Sequence, residues 1–136
     1  MKRFITTEHE INAPIEKVWA KIAQGDGCEN WLTIIQDSRL EEGNRRVCTM
    51  HEGGDLEETI LKSDQNKTFM YRIDKQEAFP ASDIVGLIRL EEIEQGRTKL
   101  LWDVEMFVEA DEAFSQIKAM TEQVYADSAT KLESIA

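Results

Sequence analysis

From residue 35 to residue 108 the chain is a succession of short runs in which apolar and charged side chains alternate, broken by turn-forming residues. No other feature restricts the fold as much. Alternation with a period of two is the pattern of a strand with one buried face. Six runs can be read, at about 35–42, 45–51, 55–63, 68–75, 82–93 and 97–108, with breaks short enough to be hairpins. Partners in a sheet must share a face, so the turns can be tested against one another. With Glu52-Gly53-Gly54 as a three-residue loop, Met50 faces Leu56, Cys48 faces Glu58 and Arg46 faces Ile60. A two-residue turn at Gln65-Asn66 sets Ile60 opposite Tyr71 and Glu58 opposite Ile73. A loop at Glu94-Gln95-Gly96, with glycine at the left-handed position, sets Leu90 opposite Leu100, Ile88 opposite Trp102 and Gly86 opposite Val104. These registers agree. One face carries Cys48, Met50, Leu56, Ile60, Phe69, Tyr71, Ile73, Ile84, Ile88, Leu90, Leu100, Trp102, Val104 and Met106, and the other is mostly charged. The reading is an antiparallel meander buried on one side.

Helical patterns flank the meander. A strand-like run at about 3–11 leads into "NAPIEKVWAKI", where Asn12 is placed to cap a helix over about 13–24 and Pro14 fits its first turn. Ile15, Val18, Trp19 and Ile22 recur at helical spacing, with Glu16, Lys17 and Lys21 opposite. A short helical piece is expected around "CENWL". The chain closes with a helix over about 111–134, roughly 36 Å long at the standard rise. Its stripe of Phe114, Ile117, Thr121, Val124, Tyr125, Ser128, Leu132 and Ile135 mixes in hydroxyl groups that a helix sealing a dry core has no need of. Gly86 also leaves space on an otherwise bulky sheet face. Both point to a cavity.

A length of 136 residues fits one domain spanning 1–136. The net charge of −11 and pI near 4.6 argue against a nucleic-acid binder, which needs a basic stripe, and against charge-driven attachment to anionic membranes. The N-terminal residues show no apolar leader pattern and no apolar run reaches membrane-spanning length, so the expectation is a cytoplasmic protein without stable membrane insertion. Cys28 and Cys48 form no CxxC pattern and read as reduced thiols. His9 and His51 are the only histidines and lack metal-ligand spacing, and no Gly-rich phosphate loop is present, so no metal or cofactor is expected.

Glu58 is the candidate that most needs explanation, because the registers put it on the apolar face. A buried carboxylate must be paired, hydrated or protonated. Arg46 lies diagonally across the hairpin, roughly 7–8 Å away between backbones and within reach. The pair is either a polar handle for a ligand or a structural ion pair at the sheet edge. Trp31, Tyr71, Trp102 and Tyr125 face inward, as core or as cavity lining. Cys48, His51 and Asp55 suggest a nucleophilic triad, but His51 sits on the strand face opposite Cys48, which is poor geometry for proton transfer.

In order and spacing, "APIEKVWAKI", Trp31, "GNRRVCTMHEGGDLEETILKSD", "YRI", "FPASDIVGLIRL" and "TKLLWDVEMF" resemble the polyketide cyclase/dehydrase-like branch of the START and birch-pollen-allergen superfamily, over essentially the whole chain. The spacing of Arg46, Gly53, Glu58 and Asp64 is similar to that of bacterial methanol-oxidation-associated members and, more distantly, of plant abscisic acid receptors. The resemblance implies an α+β helix-grip fold: a curved seven-stranded antiparallel sheet wrapped around the long C-terminal helix, with two short helices near the N-terminus. It implies that Ile15, Val18, Trp19 and Ile22 help close a cup holding a small hydrophobic or amphipathic molecule. In the receptors, the loops matching "HEGGD" and "EAFPAS" gate that cup; Ile84 stands where many relatives carry Tyr, and receptor function is not carried over. The expected ligand-binding residues are Trp31, Arg46, Cys48, Glu58, Tyr71, Ile84, Trp102, Thr121, Val124 and Tyr125. Three functions follow: binding or transport of a hydrophobic molecule, cyclase or aromatase chemistry in the same cavity, or a co-chaperone-like interaction domain using the charged outer face.

Overall fold

The computed structural model describes residues 1–136. Its elements run β1 (Lys2–Ile11), α1 (Ile15–Ala23), a 3-10 turn (Cys28–Asn30), β2 (Ile35–Glu41), β3 (Arg45–Met50), β4 (Asp55–Asp64), β5 (Thr68–Lys75), β6 (Ser82–Glu94), β7 (Arg97–Phe107) and α2 (Asp111–Ile135). The strands form one antiparallel sheet in the order β1-β7-β6-β5-β4-β3-β2, a meander to whose far edge the first strand returns. This is the helix-grip arrangement. No helix is long and apolar enough to cross a membrane.

The hairpin turns differ from expectation, yet the shared face survives. At β3–β4 both Gly53 and Gly54 have positive φ, at 93° and 90°, which only glycine adopts freely. The turn therefore closes early: Gly53 N–H donates to Met50 O, and Met50 N–H to Gly54 O, each at 3.0 Å. The loop is His51-Glu52-Gly53, and the register slips by two, placing Cys48 opposite Leu56 and Arg46 directly opposite Glu58. An even slip preserves the buried face. The β4–β5 turn takes three residues, with Lys67 at φ 60°, and a bulge at Leu61 restores Ile60 opposite Tyr71 and Glu58 opposite Ile73. At β6–β7 the turn is the two-residue Gln95-Gly96, and a bulge at Ile93 restores Leu90 opposite Leu100 and Ile88 opposite Trp102. The bulged Leu61 and Ile93 are both exposed.

The helix starts also differ. Pro14 occupies the N-cap position of α1 and accepts the N–H groups of Lys17 and Val18, at 3.0 and 3.1 Å. Asn12 instead gives its backbone N–H to Glu133 Oε2 on α2 at 2.6 Å, so it joins two elements rather than capping one. The second short helix is a single 3-10 turn after Gly27, too short to be an independent helix. Val18 and Ile22 are buried, with Ile15 and Trp19 packed against the core at its margin. On α2 the buried residues are Ile117, Tyr125, Ser128, Ala129 and Leu132. Ser128, expected on a cavity stripe, accepts the Thr33 N–H at 3.1 Å and holds the Trp31–Ile34 segment against the helix.

The core is divided. A larger cluster gathers Ile22, Trp31, Phe69, Tyr71, Trp102, Tyr125 and Leu132; a smaller one gathers Ile5, Ile84, Val104, Met106, Val108 and Ile117. Helix α2 leans on β1, its nearest strand, and is fastened near its start by Arg3 to Asp111 at 2.7 Å. Between α2 and strands β3 to β7 the two clusters do not meet, and the space is open.

Candidate functional site

That space is a cavity of about 710 Å³. Its floor is the inner face of the sheet, from Leu56 and Glu58 on β4 through Phe69, Tyr71 and Ile73 on β5 to Ile84, Ile88, Trp102, Val104 and Met106. Its roof is one stripe of α2, Ile117, Met120, Thr121, Val124 and Tyr125. Alternation along the strands and helical spacing along α2 aim these side chains at each other. Two loops rim the mouth: the His51-Glu52-Gly53 hairpin and the 78–81 segment with Phe79. Gln76 folds the second loop on itself, donating from Nε2 to Phe79 O and Ala81 O at 3.0 and 2.9 Å and accepting the Phe79 N–H at 2.9 Å. Phe79 is thereby held half-buried against both core clusters.

The polar groups lie deep. Arg46 and Glu58 are 5% and 3% exposed, and Arg46 Nε donates to Glu58 Oε1 at 2.7 Å. Arg46 Nη1 donates to Gly25 O at 2.9 Å, and its guanidinium lies 5.2 Å from the Phe69 ring centroid and 5.7 Å from that of Tyr71. Contacts of that length are cation–π interactions. Burial pulls the guanidinium pKa down, but the charge and hydrogen bond of Glu58 together with the neighbouring cysteine sulfurs outweigh it and the net shift is upward, so Arg46 stays charged. Glu58 Oε1 also accepts from Cys48 Sγ at 3.6 Å, while no protein donor reaches Oε2. The nearer cysteines face one another, Cys28 Sγ to Cys48 Sγ at 3.7 Å.

A second polar group sits mid-floor. Trp102 Nε1 donates to Tyr71 Oη at 3.1 Å, and Tyr71 Oη meets Tyr125 Oη at 3.5 Å across the cavity. Trp102 and Tyr125 stack at 3.6 Å with an interplanar angle of 10°, and Trp31 packs on Trp102 at 5.7 Å. Burial, then nearby negative charge, raises the pKa of both phenols, so both remain protonated at neutral pH. The hydroxyls are hydrogen-bond partners for a guest, not bases.

Nine of the ten residues expected at the site border the cavity: Trp31, Arg46, Glu58, Tyr71, Ile84, Trp102, Thr121, Val124 and Tyr125. Cys48 does not. The register slip puts it opposite Leu56, with its sulfur directed at Cys28 and Glu58, and Cys28 takes its place on the wall. Gly86 leaves no empty space: a Cβ there would lie 2.1 Å from Tyr71 Cζ, so the missing side chain is filled by the phenol ring. Phe69, Phe79, Met120 and the His51 hairpin were not among the expected residues. Phe69 is legible from its strand face, and Phe79 and His51 from the "EAFPAS" and "HEGGD" loops, but nothing in the local pattern marks Met120 as rim.

A family model described as polyketide cyclase / dehydrase and lipid transport matches residues 3–136. No curated protein matches the sequence significantly. Among solved structures, the protein XoxI of Bacillus cereus superposes with a TM-score of 0.86 at 23% identity, covering 96% of this chain and 93% of that one. The Zhui aromatase/cyclase of Streptomyces sp. R1128 gives 0.81 at 16% identity, covering 98% and 93%. A START superfamily protein of Mycobacterium smegmatis gives 0.79 at 11% identity, covering 96% and 94%. These likenesses establish a common fold.

Proposed function

The chain belongs to the polyketide cyclase / dehydrase and lipid transport family, and from that premise we propose that it binds a small amphipathic molecule in the cavity under α2. The observation that carries this reading is the pairing of a 710 Å³ apolar enclosure with a single buried ion pair at its inner end. The volume lies within the range of about 300–1,000 Å³ typical of ligand sites. A dry core of this size would close to interior packing density, and this one does not. The apolar body of the guest would lie against Trp102, Val104 and Ile117, with a hydroxyl or other donor directed at the free Oε2 of Glu58. Trp31, Arg46, Thr121 and Val124 complete the wall. Handling of such a ligand, as carrier or sensor, fits better than cyclase chemistry. The one thiol on the cavity wall, Cys28, bonds to Cys48 and not to a base, the two phenols are protonated, and His51 is exposed at the rim.

Native mass spectrometry of the purified protein tests this. The expected result is a bound small molecule, or saturable uptake of an apolar fluorescent probe such as anilinonaphthalene sulfonate with quenching of Trp102. A protein that emerges empty and takes up no probe while fully folded would overturn the reading. Turnover of a poly-β-keto substrate analogue, lost in Glu58→Gln, would shift it from carrier to cyclase.

A further inference from the structure

Behind the cavity wall lies a pair of groups that ligand binding does not use. Cys28, on the 3-10 turn, borders the cavity, whereas Cys48, on β3, is sealed behind it; both are almost fully buried from bulk water. Their sulfurs are 3.7 Å apart and unlinked. A disulfide needs about 2.05 Å, so the two sulfurs must approach by less than about 2 Å to bond. Around them stand Arg46 and Glu58, with the Ser38 hydroxyl beside Cys28. We propose that Cys28 and Cys48 form a peroxide-responsive dithiol, in which Cys28 attacks a hydroperoxide that reaches it through the cavity and Cys48 resolves the product into an internal disulfide.

The two cysteines are unequal in the way this requires. Cys28 is reached from the cavity, which admits molecules far larger than a hydroperoxide. The contact with Cys48 lowers the Cys28 thiol from its ordinary range against the opposing effect of burial, and the charge of Arg46 adds to the lowering. A thiolate is the reactive form. Cys48 is held the other way: its contact with Cys28, its burial and the charge of Glu58 all raise it, so it stays protonated in reserve. The steps balance. The Cys28 thiol attacks one oxygen of hydrogen peroxide, the O–O bond breaks, and sulfenic acid and water result. The Cys48 sulfur then attacks the Cys28 sulfur, the S–O bond breaks, and the hydroxyl leaves with the Cys48 proton as a second water. Two thiols are oxidised and one peroxide is reduced. Closure withdraws the Cys48 S–H from Glu58 Oε1 and ties the 3-10 turn to β3, so the wall beside the ion pair is refastened. This inference holds whether or not the cavity carries a ligand.

The test uses the folded full chain. After brief exposure to hydrogen peroxide, unreacted thiols are capped with N-ethylmaleimide in denaturant and the intact mass is measured. The wild type is expected to lose two hydrogens and take up no cap, and to regain both caps after dithiothreitol. Cys48→Ser should accumulate a sulfenic acid at Cys28 that dimedone captures, while Cys28→Ser should leave Cys48 unoxidised. Filling the cavity with anilinonaphthalene sulfonate should slow wild-type oxidation severalfold. Two intact thiols in the wild type, under conditions that fully oxidise glutathione, would overturn the proposal. So would equal reactivity of the two single variants, with circular dichroism confirming that each is folded.

Discussion

Replacing Glu58 with Ala isolates what the buried ion pair does. The substitution leaves the Arg46 guanidinium without its carboxylate in a region only 5% exposed. Breaking one side of a buried pair typically destabilises by about 3–5 kcal/mol. Arg46 would keep its bond to Gly25 O and its two aromatic faces, each of the latter contributing up to about 2 kcal/mol when desolvated. The lower end, about 3 kcal/mol, is therefore expected. With an unfolding entropy of about 2.1 cal/mol/K per residue over 136 residues, each kcal/mol moves Tm by about 3.5 °C, so Glu58→Ala should melt about 10 °C lower. Because the loss comes from an orphaned charge, Arg46→Met combined with Glu58→Leu should recover to within about 1 kcal/mol of the wild type. Urea titration followed by tryptophan fluorescence measures both. The reasoning fails if Glu58→Ala falls by less than about 1 kcal/mol, or if the double variant is no more stable than the single. A recovered double variant that no longer takes up an amphipathic probe would separate the stabilising role of the pair from its recognition role.

Gly86→Ala should destabilise by about 2–3 kcal/mol in the same titration, since the new methyl meets the Tyr71 ring at 2.1 Å and displaces it from Trp102 Nε1. The same change made in a Tyr71→Ala background should have little effect, and additive losses would refute the account. Tyr71 and Tyr125 both have folded-state values raised above the ordinary 10.0. Their contribution is therefore complete below about pH 10 and is lost as pH rises beyond it, because the unfolded chain releases those protons first. Stability measured across that range should decline in the wild type and decline less steeply in Tyr125→Phe; identical slopes would show that other groups control it.

What could be read from the sequence depended on which errors cancel. The inward face of β4 to β7 was legible because apolar patterning fixes parity, and the bulges at Leu61 and Ile93 absorb the residues by which the real turns differ from the expected ones. At β3–β4 no bulge intervenes, so the positive φ of both Gly53 and Gly54, which sets where the turn closes, moves the register itself. That slip brings Arg46 directly opposite Glu58 and Cys48 opposite Leu56. Parity says that a side chain points inward but not what it meets there. Gly86 and Ser128 were both read as signs of empty space, yet one accommodates Tyr71 and the other binds the Thr33 N–H. Gly86 faces Tyr71 on the neighbouring strand, where periodicity gives the face but not how the ring fills it, and Ser128 meets a segment 95 residues away. The same holds for Asn12, whose partner Glu133 lies at the opposite end of the sequence.

The return of β1 to pair with β7, from Lys2 opposite Phe107 to Ile11 opposite Thr98, has a consequence for how the protein is made. During synthesis the first strand emerges long before its partner exists, and α2, which covers the sheet, comes last. The hairpins of β2 to β7 can form as they appear, since each joins neighbours in sequence. The opening strand must stay unpaired, with Ile5 and Ile11 uncovered, until more than a hundred residues have left the ribosome. Closing so long a loop is entropically slow. Emergence of β7, rather than any local turn, thus sets the moment at which the sheet can be completed. Until then the N-terminal segment is the part of the nascent chain most dependent on its own charges and on chaperones to avoid association.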